Sequence, residues 1–419
     1  MRLSQVSNAR VIQIAEIAAG IAIFIAPFRS SAGLRGAMLL LAGAAILMAY
    51  FRAGQLKYLL PNDKTLGIAV AVWLAASSIW SLAGPLPLES LSVVKRDVLT
   101  SVLAFLVFFA LTRTRRDMMR WIYILVAGLL ILTFMVVYEP FDLRASGPAR
   151  MYIDVGWLTT WLVMVAPLLA IPAFPRPKLR RKASCLLIVA LPCLIWSAWL
   201  SGNRVVWVCF AVVVLVCAAI ARRDQKTLRD QPASTVITAG LLLVIGLFLF
   251  ASMKFRADVE THGGTGPVAF ILQDNRAQIW RVAWDMFCER PLLGYGYGNP
   301  EFAELFAAQF DPGWRHLFRH AHNVVLNQML QMGVMGAVVI VLLFAALIRI
   351  FVMRARRGGL ARLGGYCGVA LVVVVILRNS TDDFFSRHAI QFFGAFCGML
   401  LGLSTRRPPL GAGKVELPR

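Results

Sequence analysis

Apolar residues in this chain form stretches of about twenty positions, separated by short polar segments that are rich in Arg and Lys. When such a stretch is helical, its length matches a hydrocarbon core about 30 Å thick. Inside lipid, a helix satisfies every backbone N–H and C=O within its own segment. The pattern therefore predicts an all-α integral membrane protein with about 12 transmembrane helices. The expected spans are 11–28, 36–51, 66–83, 97–112, 120–138, 157–174, 183–200, 205–221, 235–252, 323–348, 364–379 and 388–405.

The composition agrees with this class and excludes an ordinary soluble domain. Of the 419 residues, 59% are hydrophobic and 15% are charged, and the mean hydropathy is +0.71. The first apolar run follows polar residues and has no small-residue cleavage site, so it is expected to be a retained helix. The cysteines show no Cys/His spacing typical of a metal site.

Basic residues divide unequally between alternate polar segments, and this asymmetry predicts the orientation. Cytoplasmic N- and C-termini would place most of the 43 Lys and Arg residues inside. The net charge of +22 then reflects topology and anionic lipid, and nucleic-acid binding is not expected. The predicted organisation is transmembrane helices in 1–252, a periplasmic helical loop with the candidate site in 253–322, further transmembrane helices in 323–405 and a cytoplasmic tail in 406–419.

Unusual polar chemistry is concentrated in the long periplasmic loop. One amphipathic helix is predicted over 275–290, because Asn275 and Gln278 have the spacing of a capping box and Pro291 ends it. Its predicted apolar stripe consists of Trp280, Ala283, Trp284 and Phe287. Arg276 would occupy the first helical position, where unpaired N–H groups and a guanidinium together suit a phosphate; the alternative is an exposed Arg in water. The glycine-rich run 294–298 follows a helix, so a tight turn explains it better than a nucleotide-binding motif.

A second helix is predicted over 315–327. It would place Arg315, Arg319 and His322 on one face, with His320 pointing about 200° away from His322. Asn323 adds an amide beside that imidazole. This face would combine two guanidiniums with a side chain that accepts a proton near neutral pH.

Two other outer segments carry candidate arginines. Arg150 lies in the loop 139–156, and Arg204 ends the tight turn 201–204 between two spans. The last outer loop contains Asp382 and Asp383, with Arg378 at its edge. A structural ion pair is the favoured interpretation of that loop, although it could close one wall of a site.

Together these residues suit a large anionic headgroup at the outer leaflet with a general base beside it. An undecaprenyl pyrophosphate sugar has a lipid tail, a pyrophosphate at the interface and a glycan outside. Arginine binds phosphate oxygens bidentately, and neutralising a departing pyrophosphate stabilises the transition state. No Asp-rich metal motif is visible, so neither a metal nor another cofactor is expected.

The order of the motifs resembles the O-antigen ligase and O-antigen polymerase superfamily. The matching runs are Arg276-Ala-Gln-Ile-Trp280, the glycine turn 291–298, His320-Ala-His-Asn323 and Gly333, together with the turn that ends at Arg204. The resemblance implies a GT-C-like glycosyltransferase of the bacterial inner membrane, with a periplasmic active site and no metal. Its partners would be undecaprenyl-pyrophosphate-linked O-antigen, the lipid A–core oligosaccharide and membrane lipid.

By the same resemblance, His322 is similar to the family's catalytic His, and Arg204 and Arg276 are similar to its essential arginines. The other candidates, which rest on position alone, are expected to bind substrate: Arg319, Arg315, Arg150, Asn323 and His320. The favoured prediction is a ligase that transfers O-antigen with inversion. An O-antigen polymerase that uses the same donor remains an alternative. A transporter of lipid-linked glycans is less favoured, because the polar residues lie mostly at the outer edge.

Overall fold

The computed structural model describes residues 2–138, 147–173, 180–201, 203–224, 243–248, 276–312, 315, 318–383 and 385–405. The described residues are mostly helical and contain no strand. Its helices are α1 (Arg2–Phe24), α2 (Ala32–Arg52), α3 (Lys64–Leu82), α4 (Pro87–Val94), α5 (Thr100–Leu111), α6 (Arg115–Tyr138), α7 (Gly147–Ala173), α8 (Arg180–Leu200), α9 (Arg204–Asp224), α10 (Arg276–Glu289), α11 (Phe302–Ala307), α12 (Val324–Met332), α13 (Val334–Ala355), α14 (Gly359–Ser380) and α15 (Arg387–Ser404).

The prediction of an all-α membrane protein is confirmed. Within the described ranges, six helices are long and apolar enough to cross a membrane: Ala32–Arg52, Lys64–Leu82, Arg115–Met135, Arg204–Arg222, Val334–Ala355 and Gly359–Ser380. Three shorter apolar helices cover Trp157–Ala173, Cys185–Trp199 and His388–Ser404. The predicted ninth span, 235–252, is described only at 243–248, which is helical.

The predicted tenth span, 323–348, is wrong as a single helix. The short α12 ends at Met332, and α13 begins at Val334. Gly333 between them has φ +63°, a left-handed conformation that glycine adopts without the steric cost of a Cβ. The apolar run is continuous, but its backbone breaks at this residue.

Close helix contact holds the membrane bundle together where α5 packs along α15. A Cβ on Gly394 would lie 2.5 Å from the carbonyl oxygen of Ser101, and one on Gly398 would lie 2.2 Å from that of Phe105. These two glycines are four residues apart, the small-xxx-small spacing that lets membrane helices approach closely. The hydroxyl of Ser101 also donates to the carbonyl of Ile390 at 2.9 Å. The two backbones are therefore in contact along this face.

A second apolar core lies outside the membrane bundle and forms a cap. Helices α10, α11 and α12 contribute to it, and its buried residues are Ile279, Ala283, Met286, Tyr295, Phe302, Phe306, Phe310, Phe318, Ala321 and Leu330. The predicted amphipathic helix is present as α10, whereas Asn275, its expected cap, lies outside the described residues. Trp284, from the predicted apolar stripe, is exposed.

The glycine-rich turn after α10 joins this cap to the start of α13. The N–H of Tyr295 donates to Leu330 O at 2.8 Å, and the N–H of Val334 donates to Pro291 O at 2.8 Å. A Cβ on Gly333 would lie 2.4 Å from Leu292 O, so the two backbones touch. Gly294, at φ +61°, faces α12 from the other side, and the tight-turn interpretation of this run is confirmed.

Candidate functional site

His322 stands immediately before α12, at the base of the cap. Asn323 is the N-cap of that helix, and its Oδ1 accepts from the N–H groups of Val325 at 2.9 Å and Leu326 at 3.2 Å. His322 has φ +50°, and among the described residues it is the one non-glycine with positive φ. Left-handed backbone at a non-glycine residue is strained and persists where neighbouring contacts hold it.

The predicted helix over 315–327 is wrong, and with it the shared face of two arginines and a histidine. Arg315 and residues 318–323 are not helical, and helix begins only at Val324. Arg315 donates from Nε to Phe310 O at 3.1 Å, and Arg319 forms an exposed ion pair with Glu304. The capping bonds of Asn323 and the left-handed His322 stop the helix from extending toward the N-terminus. The structure therefore does not bring Arg315 and Arg319 together with His322 on one helix face.

The charged partner of His322 is Asp382, which lies in the loop between α14 and α15. Nδ1 of His322 and Oδ1 of Asp382 are 3.0 Å apart, and both side chains are buried. The other carboxylate oxygen of Asp382 lies 3.4 Å from a guanidinium nitrogen of Arg378, which also donates to Thr159 at 3.3 Å. A buried His, Asp and Arg thus form one chain of contacts across three elements.

The electrostatics of Asp382 determine the tautomer of His322. Burial alone raises the pKa of Asp382, but the positive charge of Arg378 and the hydrogen bond from His322 outweigh it and hold that pKa below its ordinary value. An ionised carboxylate only accepts hydrogen bonds, so Nδ1 of His322 carries the proton. Nε2 then has the free lone pair, and it is buried without a hydrogen-bond partner among the described residues. This nitrogen is the one atom of the ring that can accept a proton.

His320 supports the backbone of His322. The N–H of His322 donates to Nδ1 of His320 at 3.2 Å, and the two ring centroids are 4.1 Å apart. Burial and the nearby His322 lower the pKa of His320 to about 4, against the opposing effect of Asp382. His320 is therefore neutral at pH 7, and its Nδ1 remains an acceptor.

Asn323 and Asp383 tie the same loop to α12. Nδ2 of Asn323 donates to Ser380 O at 3.2 Å, and Nδ2 of Asn327 donates to Oδ2 of Asp383 at 2.5 Å. Burial raises the pKa of Asp383 to about 6, although it accepts from Asn327 and from the N–H of Phe385. Asn323 thus serves as a cap and a loop contact, which are structural roles for a residue predicted to bind substrate.

His320, His322 and Asp382 also resemble a metal-ligand set. Each offers one ligand atom, and these atoms all lie within 4.8 Å of one another. Two imidazoles and a carboxylate are a donor set that divalent transition metals accept. Here, however, one nitrogen of each imidazole is already engaged within the site: Nδ1 of His322 with Asp382, and Nδ1 of His320 with the N–H of His322. The contacts fit a hydrogen-bonded centre better than a metal centre.

The three remaining candidate arginines are Arg204, Arg276 and Arg150, and the first two begin helices. Arg204 is the first residue of α9, and Arg276 is the first residue of α10; both are partly exposed. A guanidinium at a helix N-terminus adds to the positive end of the helix dipole. Arg150 falls within α7, but its side chain lies outside the described residues.

Sequence reasoning missed Asp382 as the partner of His322. Sixty positions separate the two residues, and only the fold brings them together. A signal was present, because Arg378, Asp382 and Asp383 are charged residues beside a membrane span, where such residues are costly and tend to be functional. The predicted structural ion pair accounts for the contact of Arg378 with Asp382, but it did not include His322.

Residues 186–341 match the family model described as O-antigen ligase. The matched segment includes Arg204, Arg276 and His322, whereas Arg378 and Asp382 lie beyond it. No curated protein shows significant similarity to the chain.

Proposed function

The chain belongs to the O-antigen ligase and polymerase superfamily, and from this premise we propose that it is an O-antigen ligase. In this proposal it transfers O-antigen polysaccharide from undecaprenyl pyrophosphate to the lipid A–core oligosaccharide, at the periplasmic face of the bacterial inner membrane. The observation that carries the proposal is the buried contact of His322 with Asp382, which leaves Nε2 of His322 as the free base.

His322 acts as the general base. An acceptor hydroxyl is a weak nucleophile, and Nε2 takes its proton while the oxygen attacks the anomeric carbon of the donor. Asp382 holds the ring in this tautomer and stabilises the imidazolium that forms, and Arg378 keeps Asp382 ionised. The pyrophosphate leaves from the opposite face of the sugar, so a single displacement inverts the anomeric configuration.

Arg204 and Arg276 stabilise the departing pyrophosphate. Each guanidinium lies at a helix N-terminus, where its positive charge and the backbone N–H donors both favour binding of a phosphate group. Replacing either with Lys keeps the charge but removes the planar fork, so transfer is expected to fall sharply. Because the arginines supply the positive charge, transfer is expected to persist in EDTA. Inhibition by EDTA that one divalent ion reverses would contradict the metal-free mechanism.

Lipopolysaccharide electrophoresis of a deletion strain tests the function itself. A ligase predicts complete loss of the O-antigen ladder with an intact core, and complementation by the wild-type gene restores it. Core that carries a single O-unit would instead indicate the polymerase. Asp382→Asn tests the mechanism in the same strain, since an amide in place of the carboxylate can stabilise the wrong tautomer of His322. Full complementation by Asp382→Asn would remove Asp382 from the mechanism.

A further inference from the structure

Two adjacent leucines on the cap are among its most exposed apolar residues. Leu292 and Leu293 follow α10, and 71% and 66% of their respective surfaces are exposed. A single exposed leucine is common on a protein surface, whereas a contiguous apolar patch marks a contact with a partner or a membrane. Residues 294–297, which follow directly, are buried. The glycine turn 291–298 thus directs its apolar side chains outward at one point, which we call the leucine pair.

The turn that carries the leucine pair rests on the ends of two membrane-crossing helices. The carbonyl of Pro291 accepts from the N–H of Val334, the first residue of α13, at 2.8 Å. Ser81, next to the end of α3, donates from its hydroxyl to Tyr297 O at 2.9 Å. Both α3 and α13 are long and apolar enough to cross a membrane. The turn therefore lies where these two helices leave the lipid.

The length of α13 gives the height of the turn. Val334 and Arg354 are 20 positions apart, which is about 30 Å along a helix and equals the thickness of the hydrocarbon core. A guanidinium near the end of a membrane helix extends to the headgroups. With Arg354 at one boundary of the hydrocarbon, Val334 and the adjoining turn lie at the other.

The lipid-facing side of α13 begins beside the leucine pair. Its large exposed apolar residues recur at the spacing of one helix face, namely Val334, Met335, Val338, Val341 and Leu342. Leu292 O is in backbone contact with Gly333, the residue before this face, since a Cβ on Gly333 would lie 2.4 Å from it. The leucine pair therefore adjoins a surface that acyl chains cover.

The charge next to the pair suits a lipid surface better than another protein. Arg290 is exposed directly before the turn, and its guanidinium carbon lies 4.9 Å from the ring centroid of Tyr295. A cation beside apolar side chains matches the boundary between lipid phosphates and acyl chains.

We propose that Leu292 and Leu293 insert into the leaflet on the cap side and hold the base of the cap at the membrane boundary. The turn transmits this position through backbone hydrogen bonds, because Tyr295 N–H and Gly296 N–H donate to Leu330 O and Gln331 O at 2.8 and 3.1 Å. Both acceptors belong to α12, which is nine residues and about 14 Å long. His322, two positions before α12, is thereby kept near the headgroups.

A fluorescent label on the leucine pair tests the insertion. Leu293→Cys, and Leu292→Cys as a second position, are labelled with NBD in a full-length chain carrying Cys185→Ser and Cys288→Ser, which removes the two exposed cysteines. Gln309→Cys, on an exposed polar residue of the cap, is the matched control. Equal melting temperatures verify that the labelled proteins are folded.

The measurement is made in nanodiscs that contain one protein copy. Their phospholipids carry a nitroxide quencher either near the glycerol or near the end of the acyl chain. Emission from positions 292 and 293 should be blue-shifted, and the shallow nitroxide should quench it about twofold or more strongly than the deep one, because interfacial insertion is shallow. The label at position 309 should emit as in water and should not respond to either lipid.

A double variant, Leu292→Ser with Leu293→Ser, tests the holding role. Amide hydrogen exchange of Tyr295 and Gly296 in nanodiscs should become about tenfold faster, because two leucines no longer gain from leaving water. Gln309→Ser should exchange as wild type does. Unchanged exchange in the double variant would reject the holding role.

Water-like emission from both leucine positions in single-copy nanodiscs would overturn the insertion. A blue shift that neither nitroxide lipid quenches would also overturn it and assign the pair to a protein contact. If a blue shift appeared only in vesicles with many copies, the pair would instead be an interface between copies of the chain. Equal quenching at position 309 would show that the cap is immersed as a whole, which contradicts a specific role for this turn.

Discussion

His322 has a strained backbone conformation that several neighbouring residues stabilise. Left-handed φ at a non-glycine residue costs on the order of 1–3 kcal/mol, so other contacts must stabilise it. Here Asp382 forms a hydrogen bond with the ring of His322, and His320 accepts from its N–H. The next residue, Asn323, is held in place as the N-cap of α12. The ring is thereby held at one orientation before substrate arrives, which is what a general base requires.

The two histidines are expected to differ in their effect on transfer. His322→Ala removes the base and should lower the transfer rate by about 10²–10⁴-fold, with membrane insertion and donor binding preserved. His320→Ala removes one acceptor for the N–H of His322 and should retain substantial activity. The rates can be compared with purified donor and acceptor in detergent. The opposite ranking would assign the base to His320, and normal transfer by both variants would refute the general-base mechanism.

Asp383 is expected to make the folded protein pH-sensitive. Burial raises its pKa from an ordinary 3.8 to about 6, so between these values the folded protein holds a proton that the unfolded chain has released. The contribution of Asp383 to stability therefore declines as pH rises from about 4 to about 6, while that of His320, whose pKa is lowered to about 4, increases over the same range. Asp383→Asn should remove the first effect alone, so the melting temperature of the variant should rise relative to that of wild type as pH increases from about 4 to about 6.

Asn327 can accommodate the amide that Asp383→Asn introduces. Oδ1 of Asn327 is buried without a hydrogen-bond partner among the described residues, so the Asn327 amide can turn over and accept from Asn at position 383. A difference in melting temperature between variant and wild type that stays constant over this pH range would contradict the assigned role of Asp383.

At the scale of elements, apolar runs predicted helices well and predicted breaks poorly. Long helices such as α14 coincide with single apolar stretches, because every backbone group in lipid needs an internal partner. The break at Gly333 was not predicted, since the residues on both sides are apolar and an isolated glycine is tolerated in membrane helices. Its cause is contact with Leu292 in the cap turn, and such contact is a property of the fold.

The site shows the same division between local and long-range information. His322 was identifiable from neighbouring residues, because a motif is a local pattern. The cap at Asn323 was not predicted, since the expected helix continued through this residue. The contact with Asp382 depends on how α12 meets the loop after α14, and no local pattern encodes it. The predicted helix face of Arg315, Arg319 and His322 is wrong, because capping by the Asn323 side chain starts the helix after these residues.

Gly333→Ala tests the joint between α12 and α13. Alanine in left-handed conformation costs about 1–2 kcal/mol, and its Cβ would also approach Leu292 O at 2.4 Å. The variant should unfold at a lower temperature and lose transfer, because the joint fixes the cap that contains His322. Gly358→Ala is the control: its φ is −87° and its Cβ position is open, so it should behave as wild type. Equal melting temperatures for the two variants would contradict a structural role for Gly333.

At the scale of the whole molecule, the cap and the membrane bundle have separate apolar cores. Charge asymmetry predicts that the cap faces the periplasm. Cys288, an exposed free thiol at the end of α10, provides a native reporter of that side. A membrane-impermeant maleimide should label it in intact spheroplasts, and Cys288→Ser should abolish that labelling. Labelling only after the membrane is permeabilised would reverse the orientation and contradict a periplasmic site.

The contact between His322 and Asp382 also has a consequence for biosynthesis. The two residues lie on opposite sides of the α13–α14 hairpin in the chain, so the ribosome delivers the base well before its carboxylate. An unfinished chain can hold the cap, the glycine turn and His322, but it has nothing to fix the tautomer of the imidazole. We expect a nascent protein to remain inactive toward donor lipid until α14 and the following loop have been inserted. Assembly of this hairpin would then time the onset of activity.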